Sequence, residues 1–147
     1  MSSCTFFGHR NCPDSIQPRL EAEILALIRQ GVHTFYVGQQ GEFDRLVCHT
    51  LRQLQRQHPQ IRYAVVLTGL PTNKNSESRS DETVYPEEVA VGPPRFAIDR
   101  RNRWMVRTAD CVICYVTHSW GGAYKFAALA KKHGKPVINL HDGDDVF

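Results

Sequence analysis

The sequence has no long hydrophobic run and no large excess of charge of one sign. No stretch approaches the roughly 20 apolar residues that a helix needs to cross a bilayer. Its start, MSSCTFFGHR, lacks the basic and apolar regions of a signal peptide. A net charge of +3, from 18 Lys and Arg against 15 Asp and Glu, is too small to indicate nucleic-acid binding by itself. We therefore expect a cytoplasmic protein with no membrane partner.

Common catalytic and metal-binding signatures are also missing. The sequence contains no P-loop, nucleophile elbow, zinc-protease motif or intact dinucleotide-binding glycine motif, and its seven histidines are dispersed. The five scattered cysteines are typical of reduced thiols in a cytosolic protein. Cys111 and Cys114 form a C-x-x-C pair inside the apolar run CVICYV, where residues three apart on a strand point to opposite faces. We expect buried thiols, no metal site and no required cofactor.

Short apolar runs alternate along the chain with longer amphipathic segments. The runs predict five strands at residues 4–7, 33–37, 62–67, 111–116 and 137–140. The amphipathic segments predict helices at residues 14–31, 43–54, 96–108 and 123–133. This alternation predicts a single α/β domain over residues 1–147, a Rossmann-like three-layer sandwich with a mainly parallel sheet of about five strands.

Residues 69–95 interrupt this alternation. They are rich in Ser, Asn, Glu and Pro, and they are longer than ordinary connections, which predicts a functional or partly disordered loop. A short strand at residues 83–85 is the one element indicated within it. Glu87 and Glu88 are interpreted as an exposed acidic pair, with general bases as the alternative. The acidic end of the chain, HDGDDVF, is expected to be frayed.

Glycines and polar side chains follow three of the predicted strands. In open α/β sheets, ligands bind at the carboxyl ends of the strands, close to the point where the strand order reverses. Glycines there let the backbone approach a ligand, and the next helix offers free N–H groups to an anion. We therefore predict a ligand site formed by Gly8-His9-Arg10, Gly38-Gln39-Gln40-Gly41 and Ser119-Trp120-Gly121-Gly122.

The side chains near these turns suggest parts of a nucleotide site. Arg10 can hold a phosphate with two hydrogen bonds, and a neutral His9 can bind a ribose or a base. Asp44 either caps the second helix or binds ribose hydroxyls or a base.

The helix at residues 96–108 carries a row of arginines. Arg100, Arg103 and Arg107 share one face of it, which predicts a solvated basic face, with phosphate binding as the alternative. Trp104 and Met105 are expected to pack in the core rather than to stack on a base.

Four motifs together resemble the YpsA-like branch of the SLOG superfamily. They are FFGHR at residues 6–10, VGQQGEFD at 37–44, RRNRWMV at 100–106 and DCVICYVTHSWGGAYKFAALAKKHGKPVINL at 110–140. Proteins of this group are Rossmann-like and are related to the lysine-decarboxylase-like phosphoribohydrolases and to DNA-processing protein A. The resemblance implies a nucleotide-type ligand, such as a nucleoside monophosphate or an ADP-ribose-like or NAD-like molecule. It also implies a homodimer.

The resemblance assigns ligand-binding roles residue by residue. Phosphoribohydrolases of this group carry the motif P-G-G-x-G-T-x-x-E, in which Gly121 and Gly122 match the leading glycines but Ala128 takes the place of the catalytic Glu. Arg101-Asn102 matches a recurring pair to which the sequence assigns no role. The expected ligand-binding residues are Gly8, His9, Arg10, Gly38, Gln39, Gly41, Asp44, Ser119, Gly121, Gly122 and Lys125.

Three functions follow from these residues. The first is a small-molecule nucleotide-binding domain, which could act as a ligand sensor. The second is a nucleotide N-glycosidase with relocated catalytic groups, for which Asp44 is the candidate carboxylate. The third is nucleic-acid binding, suggested by the relation to DNA-processing protein A and the Arg-rich helix but disfavoured by the small net charge of +3.

Overall fold

A six-stranded parallel sheet is the centre of the structure. The computed structural model describes residues 1–70, 81–143 and 146–147. Its strands are β1 (Ser3–Gly8), β2 (Thr34–Val37), β3 (Arg62–Val66), β4 (Glu82–Val84), β5 (Cys111–Tyr115) and β6 (Val137–Asn139). They lie in the order β4-β3-β2-β1-β5-β6, with Cys4 of β1 between Phe35 of β2 and Cys111 of β5. The chain therefore adds strands to one side of β1 first and to the other side later, as in Rossmann-like sheets.

Helices connect most of these strands. They are α1 (Gln17–Arg29), α2 (Gly41–Gln57), α3 (Glu87–Ala90), α4 (Ala97–Thr108) and α5 (Gly121–Lys132), with 3-10 turns at Asp14–Ile16 and Pro94–Phe96. Pro18 lies in the first turn of α1, where its missing N–H costs no helical hydrogen bond. None of the helices in the described part of the chain is long and apolar enough to cross a membrane.

Both faces of the sheet are covered by helices. Phe6 and Phe7 are adjacent in β1 and both are buried, because successive residues of a strand point to opposite faces. Phe6 packs with α1 and α2, whereas Phe7 packs with α4 and α5. In a sequence, parallel strands that are buried on both faces appear as continuous apolar runs. The predicted class, a Rossmann-like α/β fold of three layers, is confirmed.

The sheet has six strands rather than the predicted five. β4 pairs in parallel with β3 at the edge of the sheet, at Glu82–Val84 instead of residues 83–85. The predicted long loop also contains α3, so the described residues 81–95 are partly regular structure. The strand was predicted one residue too late and α3 was not predicted, because these elements are three and four residues long and largely exposed. Residues 71–80, the middle of that loop, lie outside the described residues.

The end of the chain packs against α5. The ring of Phe147 stacks on Tyr124 with centroids 5.5 Å apart, and the ammonium group of Lys131 lies over the same ring. The expectation that the whole tail is frayed is therefore wrong for its last residue. An aromatic side chain at the terminus gains from burial on a helix even when acidic residues precede it.

The two cysteines of the C-x-x-C pair lie on opposite faces of the sheet. Cys111 packs on the α1 and α2 side and Cys114 on the α4 and α5 side, and both are buried. The prediction that they are core residues unable to share a metal ion is confirmed. Throughout the residues that the structure describes, no group of three or more His, Cys, Asp or Glu side chains is arranged to hold a metal ion.

Gly41 is the residue at which the loop after β1 meets the start of α2. It has a φ of +84°, and a Cβ there would stand 2.6 Å from the Cα of Arg10. The next N–H, from Glu42, donates to the Arg10 carbonyl over 2.8 Å. Only glycine combines this φ with this close backbone approach.

Gly41→Ala is therefore expected to lower the free energy of unfolding by about 2 kcal/mol or more, measured by chemical denaturation. Gly69→Ala is the matched control, because a Cβ there meets no described atom within 4 Å. Equal stability of the two variants would contradict the packing described for Gly41.

Candidate functional site

A cavity lies at the carboxyl end of β1, and it is also lined by Gly38, which follows β2, and by the start of α5. The strand order reverses at β1, because β2 and β5 lie on its two sides. The cavity has a volume of about 350 Å³, which is in the range of small-ligand sites. It is lined by Phe6, Phe7, Gly8, His9, Arg10, Gly38, Gln40, Asp44, Ile98, Arg101, Asn102, Met105, Gly122 and Ala123.

Arg101 is a buried cation in the wall of this cavity. It lies on α4 one turn from Ala97 and one turn from Met105, both buried, and it is itself only 2% exposed. Its Nε donates to Asn102 Oδ1 over 3.1 Å, but its Nη1 has no hydrogen-bond partner among the described residues. Burial lowers the pKa of Arg101, although the guanidinium stays charged near neutral pH. Burying an N–H donor without an acceptor costs free energy, so a bound anion that accepts a hydrogen bond from Nη1 would be favoured.

Asp44 faces the same cavity from the first turn of α2. It is 8% exposed and accepts the N–H of Gln40 over 2.8 Å. Burial raises the pKa of Asp44 to about 6, against the opposing effects of the Gln40 hydrogen bond and the charge of Arg101. This carboxyl group therefore changes charge just below neutral pH.

Gly38 lies between these two charged side chains. A Cβ at this position would stand 2.8 Å from Asp44 Oδ2 and 3.4 Å from Arg101 Cζ. The absence of a side chain at the end of β2 therefore leaves the space that Asp44 and Arg101 share. The sequence predicted that Gly38 leaves space for a ligand, whereas in the structure it leaves space for two charged side chains of the protein.

His9 forms another wall of the cavity. Its Nε2 accepts the N–H of Thr117 over 3.0 Å, so this nitrogen carries no proton. Burial lowers the pKa of His9, and the neighbouring His118 and His141 lower it further. The ring is therefore neutral near pH 7 and presents Nδ1–H as a donor.

The start of α5 completes the cavity. Gly122 and Ala123 line it, and no described side chain caps this helix. The first N–H groups of a helix have no partner within the helix, and they favour a negative charge. A Cβ at Gly122 meets no described atom within 4 Å, so open space adjoins these N–H groups. Arg101 and the start of α5 thus offer donors to one cavity.

The structure gathers six of the predicted ligand-binding residues around the cavity and leaves five outside. Those that line it are Gly8, His9, Arg10, Gly38, Asp44 and Gly122, and those that do not are Gln39, Gly41, Ser119, Gly121 and Lys125. Gln39 and Gly41 line a neighbouring cavity of about 600 Å³. Lys125 pairs with Asp99 over 3.0 Å. Gly8 also has a packing role, because a Cβ there would stand 2.2 Å from the Phe43 ring.

The arginine row on α4 forms hydrogen bonds and ion pairs with nearby surface groups. Arg100 donates to the carbonyl oxygens of Val89 and Pro93, while Arg103 pairs with Asp99 over 2.7 Å. Arg107 pairs with Glu88, one of the candidate general bases. This arrangement matches a solvated basic face better than a phosphate site.

The core residues of α4 are as predicted. Met105 is buried, and Trp104 packs edge-on against Tyr36 with ring centroids 5.2 Å apart. Arg101 is the site residue whose role the sequence did not reveal. Its spacing of four residues from Ala97 and from Met105 was the available signal, because this spacing puts it on the buried face of the helix.

Comparisons with known proteins bear on the fold. No protein-family model matches the chain, and no curated protein matches it. Among solved structures, it is similar to DNA processing protein A from Helicobacter pylori, whose structure was reported for its single-stranded DNA binding mode. The two are 15% identical with a TM-score of 0.64, and the match covers 94% of this chain. The chain spans 64% of that protein's length. The chain therefore has a Rossmann-like fold shared with DNA processing protein A.

Proposed function

We propose that the cavity at the carboxyl end of β1 binds a phosphorylated nucleoside or a nucleotide derivative. The observation that carries this proposal is the Arg101 guanidinium, which is buried in the cavity wall with Nη1 unpartnered in the described part of the chain. A phosphate oxygen would supply the missing acceptor. Arginine is the side chain best suited to this role, because its planar group donates several hydrogen bonds and keeps its charge.

The other walls of the cavity suit the remaining parts of such a ligand. The start of α5 at Gly122 and Ala123 would add backbone donors to the phosphate. Asp44 and His9 would bind ribose hydroxyls or polar atoms of the base, since one accepts and the other donates hydrogen bonds. The ligand would be held by protein groups alone, without a required cofactor.

Binding without hydrolysis is the form of this proposal that the residues favour. Ala128, in the position of the family's catalytic Glu, has no carboxylate. Asp44 is the one carboxylate among the described residues that line the cavity, and it is held by the Gln40 N–H. A nucleotide N-glycosidase remains the alternative, and release of free base that disappears in Asp44→Asn would establish it.

Single-stranded DNA is the second candidate ligand. The similarity to a DNA processing protein A described for its single-stranded DNA binding mode supports it, as does the exposed Trp120, two residues before Gly122 in the cavity wall. The net charge of +3 gives little general attraction to a polyanion. A sharp loss of affinity for oligonucleotides with rising salt would favour this candidate.

The resemblance to the YpsA-like branch of the SLOG superfamily belongs to the same proposal, together with the cytoplasmic location and the homodimer that it implies. Light scattering of the purified protein tests the last point. A mass of twice 16.8 kDa is expected, and a mass of one chain would remove the homodimer from the proposal.

A thermal-melt panel tests the proposed function. It contains AMP, ADP, ADP-ribose, NAD, their guanine counterparts and ribose 5-phosphate. A ligand at about 100 times its dissociation constant stabilises the folded state by roughly 2.7 kcal/mol, which raises the melting temperature by several degrees. A selective shift is the expected result, and a panel without any shift would contradict the proposal.

A further inference from the structure

We propose that the exposed face of Trp120 is a stacking surface for the base of the ligand whose phosphate lies at Arg101. The inference rests on the proposed function and adds the place and the chemistry of base recognition. The chemical unit recognised is a base joined through a sugar to a phosphate. A free nucleotide and a nucleotide within single-stranded DNA both supply this unit.

Three stacked rings lead from the cavity to the surface. His9 lines the cavity, and its ring centroid lies 4.0 Å from that of His118 with an interplanar angle of 15°. The His118 ring in turn stacks on Trp120, with centroids 3.8 Å apart and an angle of 19°. One face of the indole is thereby covered, yet Trp120 remains 67% exposed. The series of rings ends in an aromatic face with no described ring on it.

Hydrogen bonds hold the inner rings of this series. Nδ1 of His118 donates to the carbonyl oxygen of Trp120 over 3.1 Å, and Nε2 of His9 accepts the Thr117 N–H over 3.0 Å. Both bonds join the rings to the backbone between β5 and α5. The indole therefore rests on a surface that is already ordered, so stacking a base on it requires little further ordering of the protein.

The position of Trp120 connects this surface to the proposed phosphate site. It is the residue immediately before α5, and Gly122, two residues later, lines the cavity with Arg101. Indole is a strong stacking partner for any base. Trp104, the other tryptophan, is half-buried against Tyr36 and offers no such face.

The test compares wild-type protein with Trp120→Ala and Trp120→Phe. Three probes are titrated against each: AMP, ribose 5-phosphate, and a short single-stranded oligothymidylate. Trp120→Ala is expected to weaken AMP binding roughly 5- to 150-fold, as for loss of one base–aromatic stack, and to leave ribose 5-phosphate binding unchanged. Trp120→Phe, which keeps a ring, should recover most of the AMP affinity.

Fluorescence provides an independent readout. AMP should quench the tryptophan emission of the wild type but not that of Trp120→Ala, in which only the half-buried Trp104 remains. Circular dichroism of the variant checks that it is folded, which is expected because the replaced side chain is largely exposed.

The outcomes separate this inference from the proposed function. AMP binding that is equal in wild type and Trp120→Ala would overturn the stacking surface while leaving the proposed function standing. Parallel losses for AMP and ribose 5-phosphate would also overturn it, because the indole would then act on the phosphate site. No binding of any probe to the wild type would overturn both. Where stacking holds, tighter binding of oligothymidylate than of AMP identifies single-stranded DNA as the source of the base, and the reverse identifies a free nucleotide.

Discussion

Arg101→Met is expected to abolish AMP binding without unfolding the protein. Loss of a buried, hydrogen-bonded charge from a complex costs about 3 kcal/mol, which is roughly 100-fold or more in the dissociation constant. Stability should change little, because the variant removes the desolvation cost of a guanidinium whose Nη1 lacks a partner in the described residues but also removes the positive charge that favours the Asp44 carboxylate. Methionine fills much of the same volume without that cost.

Arg103→Met is the matched control for this variant. It removes the same side chain from the same helix, but Arg103 is 45% exposed and paired with Asp99 at the surface. Exposed pairs of this kind contribute little, so neither affinity nor stability should change much. Calorimetric titration with AMP and chemical denaturation measure the two quantities. Wild-type affinity in Arg101→Met would remove Arg101 from the site, and a large loss of stability would show that its role is structural.

Asp44→Asn is expected to be more stable relative to the wild type at neutral pH than at acidic pH. Burial raises the pKa of Asp44 from 3.8 to about 6, so the folded state disfavours the carboxylate by about 3 kcal/mol relative to the neutral acid. The stability that the neutral acid provides is present below about pH 4 and is lost as the pH rises through the folded-state pKa. Asparagine resembles the neutral acid and can still accept the Gln40 N–H, so its variant escapes this loss.

The measurement is the free energy of unfolding of both proteins across this pH range. The difference between variant and wild type should grow by about 3 kcal/mol between roughly pH 4 and pH 7 and then remain constant. Following the difference, rather than the wild type alone, cancels the opposite effect of His9, whose lowered pKa makes stability fall as the pH drops below about 6.5. A difference that does not vary with pH would contradict the buried environment assigned to Asp44.

Most of the fold was predictable because the apolar and amphipathic segments that indicate strands and helices are local and recur along the chain. The short apolar runs predicted strands between covering helices, and packing from both helical layers buries the adjacent Phe6 and Phe7. β4 was misplaced because an edge strand of three residues, with Glu82 and Thr83 exposed, leaves almost no apolar pattern. Its position depends on a free edge of β3, which is a property of the assembled sheet.

The candidate site was harder to predict, because local sequence does not show which groups face each other. The three glycine turns correctly located the ends of β1, β2 and β5, yet Gly121 and Lys125 lie outside the cavity that their neighbour Gly122 lines. Arg101 was left without a role because an arginine in a basic helix is usually solvated. Its spacing from Ala97 and Met105 indicated the buried face of the helix, but its position beside Gly38 depends on how α4 packs on the sheet.

The most direct test of the account is a map of where AMP binds. Amide signals of ¹⁵N-labelled protein are followed by NMR during a titration with AMP. Signals from Gly38, Gly122 and Ala123, which line the cavity together with Arg101, are expected to shift together with a single dissociation constant. Shifts confined to the opposite end of the sheet, or no shift at millimolar AMP, would contradict the assignment of this cavity as a nucleotide site.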